Sequence, residues 1–310
     1  MKPVARQSPG SRTGAAGRTL IEVVVSLAIG AVILGSVLVA VSGTGLTGRR
    51  QDAQGQLTEN GQIALSLMAA QLRMAGFWVP TSMSLSLDRP ADLMLVGCRN
   101  GFTNPAAAWA TLTCAGGPAV DGQDAVGVRY DATEGGIAVA VDCLGNTVAG
   151  AGGWVDDRFF IRPAASTPTG NPAIYCKGTA TAQPQMLMDN VEGISLRYGV
   201  AAVNAPGDAT NRLFDTPAFG GETVNYMTAD QFTTACPVSG AVPANSWCAV
   251  SSVRICLLMR TADNAADQAS TPYVDCNGNQ QAQPDRRLRR AMTTTVSIRN
   301  RTATQPVSAL

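Results

Sequence analysis

The chain has 310 residues and no His. Triads and zinc sites built on imidazole are therefore excluded, while chemistry through carboxylates, Lys or Cys remains open. Two constellations stand out among those residues. Glu22 is the single charge in a long apolar run; none follows from Val23 through Gly48. A carboxylate inside an apolar helix costs a few kcal/mol, so it needs a partner or a role. The plainer reading puts Glu22 at a headgroup boundary, three places after Thr19. The second constellation is Cys98, Cys114, Cys143, Cys176, Cys236, Cys248, Cys256 and Cys276, all beyond the apolar run and none in a CxxC pair. An even count scattered through loop-rich sequence points to disulfides made outside the cytoplasm; buried reduced thiols are the alternative. Of about 105 possible connectivities, the simplest joins sequence neighbours: Cys98–Cys114, Cys143–Cys176, Cys236–Cys248 and Cys256–Cys276.

Three weaker signals read as structural. Asp275-Cys276-Asn277-Gly278-Asn279 begins like a calcium loop, but Gln280 stands where Gly is needed and Arg286 where the distal Glu is needed. It is expected to be a turn, and no metal or other cofactor is expected. The run Arg286, Arg287, Arg289 and Arg290 could grip DNA or an acidic partner, but reads better as a solvated approach to a strand. Gly150-Ala151-Gly152-Gly153 lacks the lysine of a phosphate loop. With 23 Lys+Arg against 22 Asp+Glu, no global field selects a nucleic acid or anionic lipid partner.

The elements that hold these residues follow from periodicity. Residues 1–17 are polar and basic; Leu20–Val41 would then cover roughly 33 Å as a helix, enough for a ~30 Å hydrocarbon core. The stretch is too long for an ordinary secretory signal and no A-x-A-like site closes it. The basic residues ahead of it favour an N-terminus in the cytoplasm, with the distal domain outside. Three glycines among Ser42–Gly48 predict a locally melted connector, each costing about 1 kcal/mol against Ala; a continuous helix is the alternative. Gln51–Ala75 carries Leu57, Ala64, Leu65, Met68, Leu72 and Ala75 on one face and predicts an amphipathic helix, with Gly76 capping it and Pro80 stopping it. Beyond Pro80, strands are expected over Asp92–Gly97, Ala125–Asp131, Gly136–Cys143, Arg158–Arg162, Ala173–Lys177, Gly193–Val200, Ser252–Arg260 and Arg290–Asn300. Val200–Ala249 reads as a long decorated loop region, and no internal repeat is evident. One long helix followed by many strands predicts an α+β fold with an antiparallel sheet, loop-rich and disulfide-bonded.

Gly17 followed by five residues ending in Glu22, opening an apolar helix, resembles the class III signal of type IV prepilins. Glu59-Asn60-Gly61-Gln62-Ile63-Ala64-Leu65 with Leu72-Arg73-Met74-Ala75-Gly76-Phe77 resembles the helix and cap of PilW-type minor pilins. Three later blocks resemble the same family: Val191–Gly199, Val253–Arg260 and Arg290–Asn300. The resemblance implies a pilin-like fold with the helix packed on the sheet. It implies a leader over 1–17, a membrane and assembly helix over 18–48, an amphipathic helix over 49–78 and a globular domain over 79–310. By the same resemblance, prepilin peptidase cuts between Gly17 and Arg18, and Glu22 meets the new α-amine of a neighbouring subunit during assembly. Arg18 stands where prepilins usually have Phe or Met, a departure that bears on N-methylation. The implied partners are other minor pilins, the major pilin, the inner-membrane assembly platform, a tip adhesin, and the lipid bilayer before assembly. The implied role is priming of pilus assembly and a place at the tip, with motility or adhesion as readouts, and no catalysis. A J-type pseudopilin of type II secretion shares the architecture, and a membrane-anchored adhesion or DNA-binding module is the remaining alternative.

Overall fold

The computed structural model describes residues 19–77, 95–134, 137–138, 141–148, 153–201, 223–233, 246–266 and 272–298, with backbone only at 40–47, 133–134, 137–138, 201, 224 and 248. By backbone contacts the chain divides into two units, 1–51 and 52–310.

Helix α1 runs Leu20–Met74. The expected break at Ser42–Gly48 is not there: the helix assignment passes through all three glycines. Each Gly weakens a helix without removing a backbone donor, and only Pro does both. In the larger unit the buried positions of α1 are Leu57, Gly61, Ala64, Leu65, Met68, Ala69 and Leu72, the stripe that spacings of three and four predict. Gly76 follows with φ of 73° and donates its N–H to the carbonyl of Arg129 at 3.1 Å, so the helix end is tied to a strand.

Among the described residues the strands make two main antiparallel sheets. The first comprises β1 (Leu95–Cys98), β2 (Ala125–Asp131), β5 (Trp154–Arg162), β6 (Ala173–Lys177) and β7 (Gln185–Asp189), in that order. The second has the order β13 (Arg289–Ser297), β10 (Val250–Arg260), β8 (Val191–Ala201) and β9 (Thr223–Met227). Two short hairpins pair β3 (Thr133–Glu134) with β4 (Ile137–Ala138) and β11 (Tyr273–Val274) with β12 (Gln280–Gln281). One core, with Met68, Leu72, Val126, Phe159, Ile174, Ile194, Leu196 and Ile255 all at zero exposure, is shared by the helix stripe and both sheets.

The sheets are joined by charge buried among them. Asp124, 2% exposed, accepts the N–H of Leu196 on β8 at 2.7 Å and binds Arg99 at 3.0 Å. Burial pushes its carboxyl up to about 6 against these donors, because desolvation outweighs them. Arg158, 1% exposed, binds Asp156 and donates to the carbonyls of Pro105 and Ala107, which fixes that loop over the first sheet.

Two corrections concern strands. Among the described residues of the expected strand Gly136–Cys143, Ile137–Ala138 is strand, and Val141 and Thr147 bridge a separate hairpin whose loop contains Cys143. The local reason is Asp142, which accepts the N–H groups of Leu144 and Asn146 and turns the chain. The loop expected over Val200–Ala249 contains β9 and an aromatic cluster: Phe232 stacks on Trp247 at 4.5 Å, and Tyr198 meets Trp247 edge-on at 4.9 Å.

Candidate assembly segment

Thr19 precedes α1, and its carbonyl accepts the N–H of Glu22 at 3.0 Å. Glu22 is thus in the first helical turn, where the helix dipole favours a carboxylate. Its side chain is exposed, and among the described residues it makes no ion pair. Gly17 and Arg18, the expected cleavage pair, lie outside the described residues. The segment Leu20–Val39 has a mean hydropathy of 2.4 and is unburied; Leu20 is 82% and Val39 75% exposed. At about 1.5 Å per residue it spans roughly 30 Å. Its two hydroxyls are satisfied internally: Ser26 donates to the carbonyl of Glu22 and Ser36 to that of Ile33, both at 2.7 Å. Length, composition and internal satisfaction make this helix able to cross a membrane.

The cysteines divide by position. Cys98–Cys114, Cys143–Cys176 and Cys256–Cys276 are bonded as expected, with Cα separations of 5.2, 6.5 and 5.7 Å. Cys236 and the side chain of Cys248 lie outside the described residues. Two of the bridges use one device twice. Asp142-Cys143-Leu144-Gly145-Asn146 and Asp275-Cys276-Asn277-Gly278-Asn279 are both D-C-x-G-N hairpin loops. In each, the Asp N–H donates to the Asn carbonyl, the Gly N–H to the Asp carbonyl, and the carboxylate accepts the N–H two and four places on. Gly145 and Gly278 have φ of 79° and 84°, which side chains rarely adopt. Each loop then anchors to a central strand, Cys143 to β6 and Cys276 to β10. This repeat is visible in the sequence as two Cys with the same neighbours, five residues each.

The same geometry closes the Asp275 loop on its own donors. Both carboxylate oxygens of Asp275 are taken by donors, Asn277 and Asn279 on one and Gln281 on the other. Desolvation raises its carboxyl, but these bonds together outweigh it and hold the group below the ordinary range. The arginine run is likewise committed to the fold. Arg289, whose side chain is 2% exposed, binds Glu192 at 2.7 Å and Asp285 at 2.7 Å; Arg287 donates to Asn171 and Arg286 to the carbonyl of Ala266. Arg290 reaches Thr58 on α1.

Residues 158–300 match the family model described as Type IV Pilus-assembly protein W. Over that span the chain is PilW-like. No curated protein matches it. Among solved structures, a type IV-like pilin from Thermus thermophilus aligns at 13% identity with a TM-score of 0.41, covering 80% of this chain and 98% of that one. The PilW-like span starts within β5 and runs through β13. It contains three of the sequence blocks that carried the resemblance, and their described residues fall on or beside β8, β10 and β13, three neighbouring strands of one sheet. The helix block Glu59–Phe77 lies ahead of it.

Proposed function

We propose that this chain is a minor pilin of the type IV pilus, with a structural rather than catalytic role. The observation that carries this is an unburied 20-residue apolar helix, Leu20–Val39, ahead of a domain that matches a pilus-assembly family. Leu20, Val32 and Val39 are each more than 70% exposed, a surface that water disfavours and that lipid or neighbouring apolar helices would accept. In this reading the helix first spans the inner membrane with the globular domain in the periplasm. Prepilin peptidase cuts after Gly17, leaving Arg18 as the new N-terminus. The Glu22 carboxylate then neutralises the α-amine of a neighbouring subunit as the chain passes from bilayer to filament. Other minor pilins and the major pilin are its lateral partners, and the assembly platform receives it. Its contribution is to prime assembly, at the pilus tip beside an adhesin.

The test joins two measurements: the N-terminal sequence of the protein recovered from membranes, and piliation of cells carrying Glu22→Ala. A charge left unpaired in an apolar setting costs about 2.5–3.5 kcal/mol, so the docking equilibrium of the variant should weaken about a hundredfold. A mature chain starting at Arg18 with few pili in the variant supports the reading. A chain that retains Met1 and pili at wild-type number in the variant would end it.

A further inference from the structure

We propose that Cys143–Cys176 is a thiol–disulfide exchange site with Asp157 as its internal proton donor and acceptor, and that its reaction partner is a dithiol or disulfide carrier. The inference does not depend on the pilus reading.

The observation begins with the alternation of β5. Val155, Phe159 and Ile161 are buried on the core face of that strand, and Asp157 shares their parity. An apolar residue would fill the position without penalty. Instead a carboxyl stands there at zero exposure, with neither oxygen in a hydrogen bond. An uncompensated polar group in a core costs stability, so its presence calls for a use. What it faces is the bridge: one carboxyl oxygen and the sulfurs of Cys143 and Cys176 all lie within 4.8 Å of one another. Among the described residues, neither of the other two bridges has a carboxylate so placed.

The surroundings suit proton transfer. Burial pushes the Asp157 carboxyl up to about 8; the Cys143 N–H, directed at it without full hydrogen-bond geometry, opposes the rise, as does Lys177 of β6. Asp142 of the hairpin and Asp156 of the same strand reinforce it. From β2, Tyr130 faces the site as well, its hydroxyl donating to Gln71 of α1 at 2.6 Å. A carboxyl that keeps its proton through the neutral range can pass it to a departing sulfur that lies within 4.8 Å, the geometry that acid–base catalysis needs.

The two sulfurs are unequal. Cys143 is 9% exposed in a hairpin loop, while Cys176 is wholly buried in β6. In reduction, a thiolate of the carrier attacks Sγ of Cys143 and the S–S bond breaks. The electron pair passes to Sγ of Cys176, which takes the Asp157 proton and becomes a thiol. The second carrier thiol, once deprotonated, attacks the mixed disulfide and releases Cys143, which is protonated from solvent. Two electrons have moved from carrier to chain, and the carrier leaves as a disulfide. Oxidative closure is the reverse, with the Asp157 carboxylate taking the Cys176 proton.

The twin hairpin supplies an internal control, because Cys256–Cys276 uses the same D-C-x-G-N loop without the buried acid. Oxidised full-length protein in detergent is treated with dithiothreitol from pH 5.5 to 9. Each bridge is followed by alkylation and peptide mass spectrometry, with rates divided by reagent thiolate concentration. In Asp157→Asn, reduction of Cys143–Cys176 at pH 7 should slow by about tenfold or more, while Cys256–Cys276 keeps its rate. An unchanged rate at Cys143–Cys176, or all bridges shifting by one common factor, would overturn the proposal. Should the variant fail to fold, the wild-type profile decides. The normalised rate at Cys143–Cys176 should fall through an inflection near pH 8, and a flat profile there overturns it.

Discussion

Replacing Asp157 by Asn keeps the size and shape of a wholly buried side chain and removes its ionisation, which makes the stability cost of that ionisation measurable. The carboxyl is held up to about 8 in the fold, chiefly by burial, against about 3.8 in the unfolded chain. Between those values the folded state keeps a proton that the unfolded state has lost. Stability from this group is therefore complete below about pH 4 and declines as pH rises towards 8. Each pH unit in the window is worth about 1.4 kcal/mol, so the decline from pH 5 to pH 7 is on the order of 3 kcal/mol. Asp124, held up to about 6, adds a decline of the same sign but is common to both proteins and cancels in the comparison. Urea titrations of wild type and Asp157→Asn at pH 5 and pH 7, followed by tryptophan fluorescence, give the double difference directly. The variant should gain about 3 kcal/mol on wild type between the two pH values. Parallel behaviour of the two proteins across that range would refute the argument that Asp157 is folded in its neutral form.

Two further perturbations test the packing. A Cβ added at Gly97 would lie 2.6 Å from Cζ of Tyr198 and 2.7 Å from the Trp247 ring, so Gly97→Ala should cost about 3 kcal/mol or more; a midpoint within experimental error of wild type would be the contrary result. Arg289→Met removes the common partner of Glu192 and Asp285; because Glu192 keeps Arg260 and Asp285 reaches solvent, the expected loss is about 2–3 kcal/mol, read as a lower thermal midpoint that 0.5 M salt does not restore, and an unchanged midpoint contradicts it.

Where burial and period agree, the sequence was legible. β2 and β6 fall on their expected bounds, and the α1 stripe from Leu57 to Ala75 is buried as its spacing requires. The first half of β5 was missed because Asp156-Asp157-Arg158 reads as surface, and β7 because Gln185–Asp189 is half-exposed at a sheet edge with no alternation to detect. β9 escaped notice because its five residues carry little pattern of their own, and its partner β8 supplies the register. Glu22 stands out as a candidate because a lone charge in an apolar run is conspicuous. Asp157 does not, since nothing local distinguishes a buried acid from an exposed one. Only the pairing of β5 with β2 and β6, together with the Cys143–Cys176 bond, places it in the core. The three bridges could be guessed because their loops are short, with separations of 16, 33 and 20 residues.

Those separations have a mechanical meaning. A subunit held in a filament under tension can yield only the chain that lies outside its covalent loops. At about 3.4 Å per extended residue, the three bridges withhold roughly 230 Å of contour from any pull along the backbone. The matched hairpins set two of its limits, the start of the Cys143–Cys176 loop and the end of the Cys256–Cys276 loop. Each clips a surface loop to the middle of a sheet, so force travelling along β6 or β10 is shared with a second segment at the bond. Opening Cys143–Cys176 alone would release nearly half of that hidden contour.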